Sequence, residues 1–137
     1  TWVDSLKDQG VAPATVLAYL TGSTPSADLL VTSGAFQATL KGPTNTFVAV
    51  CDATKPTSLV YASYLGGTGT DIPYGIATHA GKAYVTGSTT SLDFPVVNAT
   101  FPSSAGGTDM FITELDPRRS GTASVIASDY FGGAGLD

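Results

Sequence analysis

The chain has 137 residues, a formal net charge of −5 and 12% charged side chains. Its six basic residues are scattered, with Lys7, Lys41, Lys55 and Lys82 isolated and Arg118–Arg119 a single dipeptide, so the electrostatic footprint of a nucleic-acid or anionic-membrane binder is missing. No apolar run approaches the roughly 18 residues of a transmembrane helix, so no membrane insertion is expected, and Gly and Pro punctuate a Thr/Val/Ala-rich β composition rather than mark disorder.

The opening residues TWVDSLKDQ (1–9) match nothing in the equivalent place before Gly75 and carry the sole Trp, Trp2. They form a non-repeat tail that either docks on a neighbour or caps the first repeat. The chain starts at Thr1 without Met, so a removed leader or a longer parent sequence is expected. From Gly10 onward the sequence is written twice. GVAPATVLAYLTGSTPSAD (Gly10–Asp28) lies over GIATHAGKAYVTGSTTSLD (Gly75–Asp93) at a spacing of 65, with Ala18/Ala83, Tyr19/Tyr84, Thr21/Thr86, Gly22/Gly87, Ser23/Ser88, Thr24/Thr89, Ser26/Ser91 and Asp28/Asp93 among the identities. Gly42, Thr44, Phe47 and Asp52 fall on Gly106, Thr108, Phe111 and Asp116 at 64, and YLGGTGTD (Tyr64–Asp71) on YFGGAGLD (Tyr130–Asp137) at 66. Such a period marks a repeat architecture, in which each unit carries apolar faces it cannot bury alone.

In chain order, the first repeat (10–71) reads as strands near 10–14, 16–22, 46–51 and 58–65, with Pro13 weakening the first of them. The second (72–137) reads as a strand over Tyr74–Thr78, a turn at His79–Lys82, and a strand over Ala83–Ser88. A long connection follows, with Phe94, Val96 and Phe101 as plugs that pack back on the sheet. Strands over Met110–Leu115 and Ala123–Phe131 complete it. The pattern predicts an all-β chain of two four-stranded antiparallel β-propeller-type blades. Propellers close with about four to eight blades. Two blades therefore belong to a ring or stack completed by other copies or adjoining repeats, or to an excerpt of a longer array.

The run YASYLGGTGTD, YGIA, KAYVTGSTTSLDFP and FPSSAGGTDMFITELDP resembles the bacterial β-propeller repeat called SBBP. The second copy follows that pattern nearly element by element from Tyr61 to Asp137. The first is looser, with Leu29–Leu30 where the pattern has Phe-Pro and Ala53 where it has Pro. The resemblance spans about residues 10 to 137. It implies propeller-type blades and an extracellular or cell-surface prokaryotic protein, and it implies no catalytic residue.

GGTGTD (Gly66–Asp71) and GGAGLD (Gly132–Asp137) match the opening of the calcium-binding GGxGxD nonapeptide, which makes Asp71 and Asp137 calcium candidates. The two sites do not follow one another directly, however, and IPYG follows the first, so glycines that shape a sharp connection and aspartates that cap it are the competing reading. Asp93 and Asp109, which match Asp28 and Asn45, could join a hard-cation site, or serve as Asx turns. Asn98–Ala99–Thr100 is a formal glycosylation sequon. Tyr61, Tyr64 and Tyr130 on outer strands could bind sugar or serve cross-strand packing. Cys51 in the alternating stretch FVAVCD reads as a buried, inert thiol.

His79 is the sole histidine and Glu114 the sole glutamate, and no GxSxG is present, so no enzyme is expected. The function expected is structural: a filament or surface-layer component at the cell exterior. The alternatives are a carbohydrate-binding adhesin-type module and an accessory domain of a larger secreted protein. If the tail mediates assembly, deleting residues 1–9 abolishes higher-order species in light scattering and leaves the β-sheet circular dichroism intact.

Overall fold

The protein is described from a computed structural model covering residues 16–55 and 58–133. It is all-β. One three-stranded sheet holds β1 (Leu17–Thr24), β2 (Asn45–Asp52) and β3 (Leu59–Leu65) in the order β1-β2-β3. A four-stranded sheet holds β4 (Asp71–His79), β5 (Lys82–Thr89), β6 (Asp109–Leu115) and β7 (Val125–Phe131) in chain order. Every pairing between these strands is antiparallel, with one isolated parallel bridge at Thr44–Thr70, and neither sheet closes on itself. The one helical turn among the described residues is a 3-10 turn at Gly121–Ser124. The expected strand 10–14 lies outside the described residues.

Local chemistry sets these strands. β2 alternates, with Asn45, Thr46, Val48 and Val50 buried, as a strand between two others requires. Ala80 and Gly81 form the two-residue loop between β4 and β5 with φ of 53° and 79°, a primed turn whose twist matches the flanking strands. Bulges fall between Val50 and Cys51 and between Glu114 and Leu115, the same place in both repeats. Pro73 sits at a third register shift, where its missing N–H disturbs the ladder least. β4 starts at Asp71, three residues earlier than the alternation suggests, because the Asp71 amide donates to Thr44 O at 3.0 Å and pairing with Thr89 begins there. β7 starts at Val125 rather than Ala123, since the 3-10 turn takes the residues before it.

The core lies between the sheets. Val48, Val50, Tyr61 and Leu65 of the first meet Val85, Phe111, Leu115, Val125 and Tyr130 of the second in one cluster. Phe94 plugs it as expected, 4.4 Å from Phe111 and 6.1 Å from Tyr130 between ring centroids. Val96 packs at its margin. Phe101 does not plug the core: it is exposed and stacks edge-on against Phe131 at 6.2 Å. Asp129 draws it to that edge by accepting the Thr100 and Phe101 amides.

Tyr64 and Tyr130 do the same work in each repeat. Tyr64 Oη donates to Ser26 O and accepts from the Leu29 amide, and Tyr130 Oη donates to Ser91 O and accepts from the Phe94 amide. Both hydroxyls therefore pin the long connection onto the outer strand and are buried from any ligand. Tyr61 links the sheets: its hydroxyl accepts from the Phe36 amide at 3.1 Å and bonds Ser124 Oγ at 2.9 Å. Tyr61→Phe takes the acceptor from the half-buried Phe36 amide and one of the two hydrogen bonds of Ser124 Oγ, which keeps Gly121 O, so it should lower unfolding free energy by about 1 kcal/mol in urea denaturation, with no change in β-sheet circular dichroism.

Candidate functional site

The loop Gly66–Asp71 crosses from β3, the outer strand of the first repeat, to β4, the first strand of the second sheet. All six of its backbone amides are met. Gly66 N–H donates to Gln37 Oε1, Gly67 N–H to Asp71 Oδ2, Thr68 N–H to Asp93 Oδ1 and Gly69 N–H to Ser91 Oγ. Thr70 N–H donates to Thr90 Oγ1 and Asp71 N–H to Thr44 O. In return the Thr90 amide donates to Thr70 O at 3.0 Å. The partners from the second repeat all lie in STTSLD (Ser88–Asp93), the end of β5 and the loop that follows it. Glycine is required by close approach: a Cβ on Gly66 would strike Asn45 and Asp71, and one on Gly67 would strike Ser91 and Asp93.

Asp71 is the hub. Its Oδ2 accepts Asn45 Nδ2 at 2.9 Å and the Gly67 amide at 3.0 Å, while Oδ1 accepts Thr89 Oγ1 at 2.5 Å and Ser91 Oγ at 2.9 Å. A buried carboxylate with four donors is fully satisfied by protein and ties both repeats to one point. The motif pair GGxGxD and STxSxD is thus a plug and its receptor, the plug in one repeat and the receptor in the next.

The two sheets also pack by a repeated rule. The rows Tyr19–Val50–Tyr61 and Thr21–Val48–Ser63 put on one face the residues that the second sheet buries. The corresponding face of the second sheet, Tyr84–Glu114–Ala127 and Thr86–Ile112–Asp129, points away from the core. Val48 and Leu65 are 0% and 1% exposed, whereas their counterparts Ile112 and Phe131 are 52% and 67% exposed. Tyr74, Phe101 and Met110 extend this apolar end. The other end is polar, with Glu114 accepting from Tyr84 Oη at 3.1 Å and lying 3.5 Å from Lys82 Nζ.

Between the sheets opens a cleft of about 750 Å³ lined by Leu17, Tyr19, Val60, His79, Pro117 and Arg118 among others. Arg118 reaches Asp116 with two nitrogens, and that hydrogen bond outweighs the opposing effect of burial and holds the Asp116 carboxyl below the usual aspartate value.

The remaining sequence candidates fall as follows. Asp93 Oδ1 accepts both the Thr68 amide and hydroxyl, and the amide chiefly lowers its pKa. Asp109 accepts Ser104 Oγ and the Ala105 amide through Oδ2. Among the described residues no three His, Cys, Asp or Glu side chains gather as a metal cluster, and Asp137 lies outside those residues. Asn98 is exposed at φ 50°, its side-chain amide donating to Ile126 O. Cys51 is half-buried rather than buried, on the face of the first sheet that points away from the second. No described helix is long and apolar enough to cross a membrane. Thr89, Thr90 and Ser91 carry a receptor role that the repeat pattern alone does not reveal: both motifs recur in sequence, but only the fold brings one repeat's plug to the next repeat's receptor.

No family model matches the chain, and no curated protein matches it significantly.

Because Asp93 has a folded pKa below its unfolded value of about 3.9, its ionised form stabilises the fold above that pH and the gain is lost as pH falls. Asp93→Asn should therefore melt below the wild type at neutral pH, and the gap should close below about pH 4 in circular-dichroism melts.

Proposed function

We propose that this chain is a non-enzymatic structural protein that assembles head to tail, through copies of itself or adjoining repeats, into an extracellular filament or surface layer. The observation that carries the reading is the plug and receptor. STTSLD of the second repeat receives GGTGTD of the first, yet the first repeat has its own receptor, STPSAD (Ser23–Asp28), and the second its own plug, GGAGLD (Gly132–Asp137). Among the described residues none fills the first receptor as Thr68, Gly69 and Asp71 fill the second. In that first receptor the Ser26 amide already donates to Thr24 Oγ1 at 3.0 Å, the same internal bond that Ser91 makes to Thr89. Pro25 stands where Thr90 does and has neither its N–H nor its hydroxyl, so both bonds that Thr90 exchanges with Thr70 would be missing from a copy-to-copy junction.

The faces support the same direction of growth. Ile112 and Phe131 are left open by the second sheet, and Leu20 is exposed on the far side of the first. A contact between unlike faces does not close on itself in a pair, so it yields a ring or a filament. The resemblance to SBBP repeats supports a propeller-like arrangement and an exterior location. The cleft favours a second reading: Tyr19, His79 and Arg118 around an apolar wall suit a binding module for a carbohydrate or other small ligand.

Light scattering with negative-stain microscopy tests the assembly. Threads are expected from the wild type. The double substitution Thr24→Val and Ser26→Ala, and separately Phe131→Glu, should keep the β-sheet spectrum and shift the population to monomers. A wild type that stays monomeric overturns the reading, and closed rings favour the binding module.

A further inference from the structure

Asn45 and Asp109 hold the same place in the two repeats, and they are 0% and 1% exposed. One side of each group is bonded alike. Asn45 Oδ1 accepts the Lys41 amide at 2.9 Å and Gln37 Nε2 at 3.0 Å. Asp109 Oδ2 accepts the Ala105 amide at 3.1 Å, the counterpart of Lys41, and Ser104 Oγ at 2.5 Å.

The other side differs in chemistry. Asn45 Nδ2 donates to three oxygens: Thr44 O at 3.2 Å, Gly67 O at 3.0 Å and Asp71 Oδ2 at 2.9 Å. At that position Asp109 presents Oδ1, an acceptor, and among the described residues this buried oxygen has no hydrogen-bond partner. The carbonyl that corresponds in sequence to that of Thr44 belongs to Thr108. The second repeat has therefore exchanged a donor for an acceptor at a point where the first repeat needs a donor to hold oxygens together. A buried carboxylate oxygen with no donor is heavily penalised. A carboxylate joined by carbonyl oxygens is the ligand chemistry of a hard cation.

We propose that Asp109 Oδ1 is a ligand of a hard cation, with calcium the best match, held at the end of the second repeat. The ion replaces, by charge, the bridge that the Asn45 amide makes by hydrogen bonding. The site is a property of the single chain and stands whether or not copies assemble.

Two measurements test it on the full chain. Equilibrium dialysis against calcium chloride should find about one ion per chain at about 1 mM, the upper end of affinities in extracellular modules. Thermal melts should rise by about 5 °C from EDTA to that concentration. Asp109→Asn restores the amide of the first repeat, so it should melt at or above the wild type in EDTA and gain nothing from calcium. Asp93→Asn, a surface carboxylate already bonded to Thr68, should keep the rise. No bound ion in the wild type overturns the proposal, and so does an equal rise in Asp109→Asn. A wild type indifferent to calcium beside a more stable Asp109→Asn would assign the orphan oxygen a proton instead, which also overturns it. The dialysis result decides the matter if Asp109→Asn does not fold.

Discussion

The arrangement depends on one crossing of bare backbone. Between Gly66 and Asp71 the chain passes from the outer strand of one sheet to the first strand of the other, with six consecutive amides to satisfy. An unpaired buried amide costs about 1–3 kcal/mol, so the buried Gly66, Gly67 and Asp71 tolerate only a register in which their amides find acceptors. That register fixes Asp71 against Thr89 and Ser91. Asp71 in turn fixes where β4 begins, and hence how the second sheet lies over Val48, Val50 and Tyr61. Polar bonding at the edge thus sets the geometry, and apolar burial behind it supplies most of the stabilisation.

The open face is not a simple copy of the buried one. Ile112 and Phe131 preserve the apolar character of Val48 and Leu65, but Glu114 stands where Val50 is buried. Its contacts with Lys82 and Tyr84 give that half of the face a charged finish. The remaining apolar half, around Tyr74, Ile112 and Phe131, is where a neighbour would gain most by covering the surface. Burial of Phe131 and Ile112 at roughly 25 cal/mol per Å² would favour contact without deciding its partner.

The strands were legible because period-two alternation and turn residues act locally. Seven of the eight expected strands are present with ends shifted by a few residues, and the eighth lies outside the described residues. The ends moved where non-local bonds intervened, as when Thr44 extended β4 back to Asp71. Phe94 and Phe101 look alike in sequence as apolar residues of one connection. Only Phe94 enters the core, because Asp129 holds the Phe101 backbone at the sheet edge. The acidic residues were found by motif, but sequence could not distribute their lone pairs. Asp71 has four donors while Asp109 leaves one oxygen unmet, and the difference lies in what the folded neighbours donate.

Plug and receptor are encoded within one repeating segment, the receptor after its second strand and the plug after its last. Tandem duplication of that segment copies both halves at once, so the new unit arrives with a receptor and a plug of the same origin as those of its neighbours. Lengthening such a chain requires no matching mutations elsewhere, so unit number can change in a single genetic event while the joint between units stays under selection as one self-complementary sequence.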